Sequence, residues 1–190
     1  AALCGLWLAL LAAPAHAATI RGTVFEDRNF GGGAGRDFAA AGGQPAGIAG
    51  VRVELYNGNA FVTSTTTDAD GRYSFTYSGN TPRTVRVVSG TLRSERSGGA
   101  ACTTCVAVQT FRTTGSGDAA TPVTDRVGGE NAALVDAPSN TSSATLSSLT
   151  TTTQTAQSIA TFDPLTNSSI VENADFGYSF SVVTNTRDAA

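Results

Sequence analysis

The amino-acid sequence predicts an all-β fold, a Greek-key-like sandwich of about seven strands with a long, partly irregular insertion. Apolar and polar residues alternate in Val51–Tyr56 and again in Tyr73–Tyr77, as they do on strands with one buried side. Between these runs stands Asn57-Gly58, a dipeptide typical of hairpin turns because both of its residues tolerate positive φ.

The stretch Val51–Phe75 therefore predicts three consecutive antiparallel strands, each with one buried side and one side in water. The turn before the third strand is Asp68–Gly71, and we expect both of its Asp side chains to accept hydrogen bonds from local backbone N–H groups. Thr84–Val88 alternates in the same way and is expected to complete a four-stranded meander.

Further strands are expected on both sides of this meander. They are Thr19–Phe25, Cys105–Phe111, Gln157–Phe162 and, as the closing strand, Asn173–Val183. Glu26–Gly50 is a loop rich in Gly and Ala, and Gly115–Asp118 is expected to end the fifth strand. Gly90–Ala156 is expected to be partly irregular, with room for a short helix at Ser142–Leu149.

Strand alternation also selects the side chains that should fill the interior of the sandwich. The expected core residues are Val51, Val53, Leu55, Tyr73, Phe75, Val85, Val87, Phe176, Tyr178 and Phe180.

Three blocks of sequence carry a family resemblance. Gly47–Leu55 and Thr65–Phe75, with Gly22–Asn29 upstream, resemble the SdrD B-like and Cna B-type domains of bacterial surface proteins over about Ile20–Val88. The resemblance implies a prealbumin-like or immunoglobulin-like β-sandwich.

The first residues predict export. Leu3–Ala13 is apolar and Pro14–Ala17 ends in a small-x-small pattern, which indicates a secretory signal peptide without its front end, cleaved before Ala18. A membrane anchor is the alternative, but the apolar run is shorter than the ~20 residues that a spanning helix needs. We expect the protein at the cell surface, in association with the outer membrane, or outside the cell.

The sequence predicts one principal domain. Residues 1–17 are the signal peptide, 18–184 the SdrD B-like sandwich domain and 185–190 the start of a downstream region. The mature domain is not expected to insert into a membrane.

Composition excludes several kinds of chemistry. All 12 basic residues are Arg, and the single His, His16, belongs to the signal peptide. Ser-His-Asp and Cys-His catalysis, histidine-bound zinc, Schiff-base lysine and P-loop chemistry therefore lack a required side chain. The Lys–Asn cross-link of many Cna B-type domains is excluded for the same reason. The net charge of −3, without a basic cluster, argues against nucleic acid as a partner.

These observations predict a non-enzymatic structural or adhesion module, a stalk or spacer of a larger exported bacterial protein. Its expected partners are other domains of the same chain and a host or matrix protein or carbohydrate. The alternative is a module that binds carbohydrate or protein through its end loops. A carboxylate hydrolase is the third hypothesis, and a deep pocket with two acidic residues would favour it.

One loop partly matches a calcium site. Asp27, Asn29 and Gly32 fit positions one, three and six of a calcium loop, but positions five and twelve lack a side-chain oxygen. Some SdrD B-like domains bind calcium here, and Asp37 is a further candidate ligand. The incomplete ligand set favours a solvated loop, so no cofactor is expected.

Two short motifs have structural interpretations. Cys102 and Cys105 are expected to form a small disulfide in an oxidising compartment, with free thiols second and redox catalysis third. The triplet Asp175–Gly177 spells the kinase magnesium motif, but the chain has no lysine for kinase chemistry. We interpret it as a strand residue followed by a glycine bulge.

Overall fold

The computed structural model describes most of the chain between residues 17 and 182. The described residues are 17–28, 30–31, 34–41, 46–79, 81–94, 105–117, 119–123, 135–140, 144–151, 154–155, 158–163 and 166–182. The predicted signal peptide, apart from residue 17, and the predicted downstream region lie outside these ranges. No helix in the described ranges has the length and apolar character needed to cross a bilayer.

Within these residues the chain is an all-β sandwich, which confirms the predicted fold class. The strands in chain order are β1 (Ala18–Glu26), β2 (Ala46–Gly47), β3 (Arg52–Asn57), β4 (Ala60–Thr66), β5 (Arg72–Tyr77), β6 (Arg83–Val87), β7 (Cys105–Ser116), β8 (Ala119–Pro122), β9 (Val135–Asp136), β10 (Gln154–Thr155), β11 (Ile159–Phe162), β12 (Ile170–Val171) and β13 (Phe176–Val182). Single-turn 3-10 helices lie at Ser89–Thr91 and Ser147–Leu149, the second inside the stretch that has room for a short helix.

Two sheets form the layers of the sandwich. The smaller sheet has four strands in the order β11-β6-β3-β4. In the larger sheet the pairing runs β12-β1-β13-β7-β8, with β12 and β13 along the same edge of β1, and β2 and β5 pair with its other edge. β1 is therefore the centre of the larger sheet. A separate short pair, β9 and β10, lies in the region predicted to be partly irregular.

The hairpin predicted at Asn57-Gly58 is present, since β3 and β4 pair antiparallel and Gly58 has a φ of 55°. The next step of the predicted meander is wrong. β5 leaves the smaller sheet and pairs with β1, with Phe75 opposite Ile20, while β6 takes the place beside β3. The physical reason is that the apolar side chains of β3 and β5 can pack against each other only if the two strands belong to facing sheets.

The predicted core is confirmed. The buried members are Val51, Val53, Leu55, Tyr73, Phe75, Val85, Val87, Phe176 and Tyr178. Phe180 is partly buried and packs against this cluster. Apolar side chains of β1 and β11, among them Ile20, Val24 and Phe162, complete the interior.

The predicted wet side is wrong for β3 and β6 of the smaller sheet, although no residue of β4 is fully buried. Glu54 and Tyr56 on β3 and Arg86 on β6 alternate with the core residues, yet all three are fully buried. The long insertion covers them: Arg86 donates to the carbonyl oxygen of Ala137, and Asn140 donates its backbone N–H to Glu54. β5, by contrast, keeps the predicted alternation of exposed and buried side chains.

Glu54 is the centre of a buried polar network. Its Oε2 accepts hydrogen bonds from Arg86 Nη1 and the Tyr56 hydroxyl, both at 2.7 Å. Its Oε1 accepts from Arg52 Nε at 2.9 Å and from the backbone N–H of Asn140 at 2.7 Å. Burial alone would raise the pKa of Glu54, but these hydrogen bonds and the charge of Arg86 bring the pKa below its usual value.

The fifth strand is longer than expected. β7 runs through the predicted break at Gly115 and ends at Ser116, which lies opposite Ala119 of β8. Gly117, with a φ of 63°, makes the turn between the two strands. A glycine inside a strand does not end it when its neighbours on both sides keep their pairing.

Candidate binding groove

A bulge interrupts the strand that runs parallel to β1. Ile20 lies opposite Val171 of β12, and Val24 lies opposite Phe176 of β13. Three residues of β1, 21–23, therefore face four residues, 172–175, of the neighbouring chain. This one-residue excess makes β12 and β13 two parts of one strand separated by a bulge, and we call residues 172–175 the bulge segment.

The backbone of the bulge segment has a specific local structure. Asn173 has a φ of 58°, and no other non-glycine residue of the described chain has a positive φ. Asn is one of the few side chains that adopt this conformation readily. The next residue, Ala174, donates its N–H to Arg21 and accepts a hydrogen bond from the Tyr73 hydroxyl at 2.5 Å. A Cβ at Gly22 would lie only 1.9 Å from the carbonyl oxygen of Ala174, so β1 requires glycine there.

The carboxylate of Asp175 closes the bulge. Its Oδ1 accepts the backbone N–H of Thr23 at 2.7 Å, and its own N–H donates to the hydroxyl of Thr113 on β7 at 2.8 Å. Asp175 is only 7% exposed. Burial raises its pKa to about 6; the Thr23 hydrogen bond opposes this rise and the charge of Asp37 adds to it. The sequence pattern predicts an ordinary strand residue at Asp175 and gives no indication that its carboxylate bonds to β1.

A groove of about 600 Å³ opens in front of the bulge segment. It is lined by Arg21–Thr23 of β1, Thr65–Thr66 of β4, Asp68, Arg72–Ser74 of β5, Glu172–Asn173 and Asp175. β4 and β5 stand at the edges of the two sheets, so the groove lies where the sandwich opens on one side.

Most charges in and around this groove are already paired. Arg21 makes two hydrogen bonds to the carboxylate of Glu172, one of them at 2.5 Å, and both side chains are about half exposed. The hydrogen bonds and charge of Arg21 lower the pKa of Glu172. Arg72 pairs with Asp70, which is not in the lining, at 3.2 Å.

The prediction that both Asp side chains of the Asp68–Gly71 turn accept hydrogen bonds from local backbone N–H groups is confirmed for Asp68 and is wrong for Asp70. Asp68 Oδ1 accepts the backbone N–H groups of Asp70 at 2.9 Å and Arg72 at 2.8 Å. The side chain of Asp70 instead accepts a hydrogen bond from the guanidinium of Arg72 at 3.2 Å, and both side chains are about two-thirds exposed.

The residues proposed for calcium are not gathered into one cluster in the described chain. Asp27 is fully buried and its Oδ1 accepts a hydrogen bond from Arg36 at 2.8 Å. Asp37 is exposed and caps the backbone N–H of Ala40, while Asn29 lies outside the described residues. Among the described residues no three His, Cys, Asp or Glu side chains are placed to hold a metal ion. The solvated loop therefore stays a prediction, with calcium binding as its alternative.

The two short motifs have different outcomes. Cys105, the first residue of β7, is disulfide-bonded. Cys102 lies outside the described residues, so its pairing with Cys105 stays a prediction. The interpretation of Asp175–Gly177 as strand and bulge is confirmed in part, because the pairing of β13 with β7 shifts by one residue between Gly177 and Tyr178.

Three acidic residues line the groove, Asp68, Glu172 and Asp175. Asp175 has the raised pKa of a general acid, and two further acids line the groove, as the hydrolase hypothesis requires. However, Glu172 is bound by Arg21 and Asp68 holds its turn, so neither is poised as the second catalytic carboxylate.

Comparisons with family models, curated proteins and solved structures found no match for this chain. The family resemblance therefore rests on the sequence blocks quoted for it.

Proposed function

We propose that this chain is a non-enzymatic structural module, a stalk or spacer, of a larger exported bacterial surface or secreted protein. The sequence resemblance and the apolar leader support export and the surface location. The observation that carries the mechanical role is the pairing of the first and last described strands, β1 and β13, side by side and parallel.

Parallel pairing determines how the chain passes through the module. It enters β1 at one end of the sandwich and leaves β13 at the opposite end, because both strands run in the same direction. Glu26 lies opposite Tyr178, so the path from Ala18 along β1 and on to Val182 spans roughly 40 Å at about 3.3 Å per residue. A module with its ends at opposite poles adds length to an array.

The same pairing determines how the module resists force. Pulling on the two ends slides β1 and β13 past each other, so all the hydrogen bonds between these strands bear the force together. In a hairpin that is pulled from its open end, by contrast, the hydrogen bonds break one at a time. β13 is also held by β7 along its whole length, from Phe176 opposite Arg112 to Val182 opposite Cys105. This arrangement supports a load-bearing spacer.

Single-molecule force spectroscopy tests this proposal. A tandem array of the chain from Ala18 onward would be pulled through its ends and, in a second construction, through handles at Thr19 and Thr76. These two residues are opposite each other on β1 and β5, so force there peels one strand from the other. We expect clearly higher unfolding forces through the ends. Equal forces in the two geometries would overturn the mechanical role.

The groove favours a second candidate function, a ligand-binding module. A concave site with several polar side chains is the usual form of a binding site. This groove is formed by strands and one turn rather than by loops at an end of the sandwich. Carbohydrate or protein binding would be tested first by substitution of its lining residues.

A further inference from the structure

We propose that the groove at the bulge segment binds a primary ammonium group, with the carboxylate of Asp175 as its counter-ion. This inference rests on the second candidate function and names its ligand class. It does not depend on the mechanical role, so each proposal stands or fails by its own experiment.

The first step is the hydrogen-bonding state of Asp175. Asp175 is 7% exposed and lines the groove. Oδ1 accepts the N–H of Thr23, while no described residue donates to Oδ2. A buried carboxylate without a cationic partner is unfavourable unless further donors reach it. A ligand that brings N–H donors and positive charge to Oδ2 meets both needs.

The second step is the charge around Asp175. Arg21 is paired with Glu172 and Arg72 with Asp70, so neither guanidinium is directed to Asp175. Asp37 adds a like charge that disfavours ionisation of Asp175.

Tyr73 and Asp68, which also line the groove, do not provide a positive charge for Asp175. The hydroxyl of Tyr73 is directed to the carbonyl oxygen of Ala174, and Asp68 is itself an acid. The groove therefore has unmatched negative charge.

The third step selects an ammonium group among cations and polar ligands. A metal ion is disfavoured because the described residues hold no cluster of three acids, cysteines or histidines. An ammonium has three donors, and Thr23, Thr65 and Ser74, whose hydroxyls can accept hydrogen bonds, are among the residues that line the groove. A sugar would lack a stacking surface, because Tyr73, the aromatic residue of the lining, is only 5% exposed.

These 190 residues contain no lysine, so a lysine side chain in this groove has to come from residues outside them, in a longer chain or in a partner protein. A free small amine offers the same chemistry. The shared ligand is the ammonium itself, and the experiment separates the two sources.

Titration of the full chain with selected probes tests the inference. The Asp side chains would carry ¹³C at Cγ, and the probes would be butylamine, a lysine-containing peptide, butanol and calcium. We expect saturable shifts of the Asp175 signal with the amine, the lysine peptide or both at pH 7. Binding by butylamine identifies a small-amine site, and binding by the peptide alone identifies a site for the lysine of a polypeptide. Binding should weaken as the pH falls through about 6, because Asp175 then takes up a proton.

Two variants complete the test. Asp175→Asn keeps an oxygen to accept from Thr23 and, followed through the ¹⁵N-labelled backbone N–H of Thr23, should bind about tenfold to a hundredfold more weakly, the effect of losing a hydrogen bond to a charged group. Asp163→Asn changes an exposed carboxylate outside the groove lining and should bind normally. Equal binding by Asp175→Asn, equal binding of butanol, preferential binding of calcium or no saturable shift with either amine would each overturn the proposal.

Discussion

The carboxylate of Asp175 accepts a 2.7 Å hydrogen bond from the backbone N–H of Thr23, at the place where the neighbour of β1 changes from β12 to β13. At the bulge, the side-chain carboxylate of Asp175 therefore replaces the backbone carbonyl that would accept this hydrogen bond in a regular ladder. The arrangement buries an ionisable group in the largest sheet, and its protonation should therefore affect stability.

We expect Asp175→Asn to stabilise the protein at pH 7. The folded-state pKa of Asp175 is about 6 against a usual value of 3.8, so the folded state favours the neutral carboxyl. The stability of the wild type should therefore fall as the pH rises from about 4 to about 6, by roughly 3 kcal/mol at most. Asn stays neutral and still accepts from Thr23. Urea unfolding from pH 4 to pH 8 measures the difference.

Asp175→Ala is the matched control for the Thr23 hydrogen bond. It also removes the buried charge but leaves the N–H of Thr23 without an acceptor, which costs about 1–3 kcal/mol. The Asn variant should therefore be the more stable of the two at every pH. If the wild type became more stable as the pH rose through 6 and Asn gave no gain, the assignment of a raised pKa would be wrong.

The buried Glu54–Arg86 pair should be important for stability. Glu54→Gln removes one charge from a pair in which both side chains are fully buried, and such changes cost about 3–5 kcal/mol. Glu172→Gln is the control, because it breaks the half-exposed pair with Arg21 and should cost about 1 kcal/mol or less. Chemical denaturation of both variants at pH 7 measures the contrast, and similar losses would contradict it.

Glu54 also has the opposite pH dependence from Asp175. Its pKa is lowered in the folded state, so the stability it supplies is present above the usual carboxylate pKa and is lost as the pH falls through the folded-state value. The wild type should thus be most stable at mildly acidic pH, between the two transitions. In Asp175→Asn the decline on the neutral side should disappear, while the decline at low pH should remain.

The parts of the fold that could be predicted from the sequence are local. The Asn57-Gly58 hairpin, the alternation of β5 and the core side chains follow from neighbouring residues. The change of sheet at β5 could not be predicted, since it depends on pairing with β1 some fifty residues earlier. The burial of Glu54 was also missed, because the insertion that covers it has no periodic pattern.

The position of the groove depends on how two distant strands are aligned and not on a local sequence motif. Its bulge is visible only when residues 21–23 and 172–175 are aligned, and two strands about 150 residues apart do not reveal their alignment in a single sequence. The local signal was Asn173 and Asp175 just before a strand: an Asn that tolerates positive φ, then a carboxylate two residues later. Both residues belong to Asn173–Val183, the segment whose alternation predicts the closing strand.

Phe75 is the core residue with the clearest expected effect. It is 4% exposed, lies opposite Ile20 and contacts the ring of Tyr73 at a centroid distance of 5.8 Å. Phe75→Ala should therefore lower the free energy of unfolding by about 3–5 kcal/mol. Thr76→Ala, on the exposed side of the same strand, should change it by about 1 kcal/mol or less. A small loss at Phe75 in urea unfolding would argue against the packing of β5 on the core.

The bulge segment predicts a strict requirement for glycine at position 22. A Cβ there would lie 1.9 Å from the carbonyl oxygen of Ala174, which also accepts the Tyr73 hydroxyl, so backbone has to move. Gly22→Ala should destabilise the protein by at least the 1–3 kcal/mol typical of overpacking, and should shift the Asp175 Cγ signal because Thr23 moves with β1. Gly90→Ala is the control, since a Cβ there meets nothing within 4 Å. Equal stability of the two variants, with an unchanged Asp175 signal, would show that β1 and the bulge segment are not in this register.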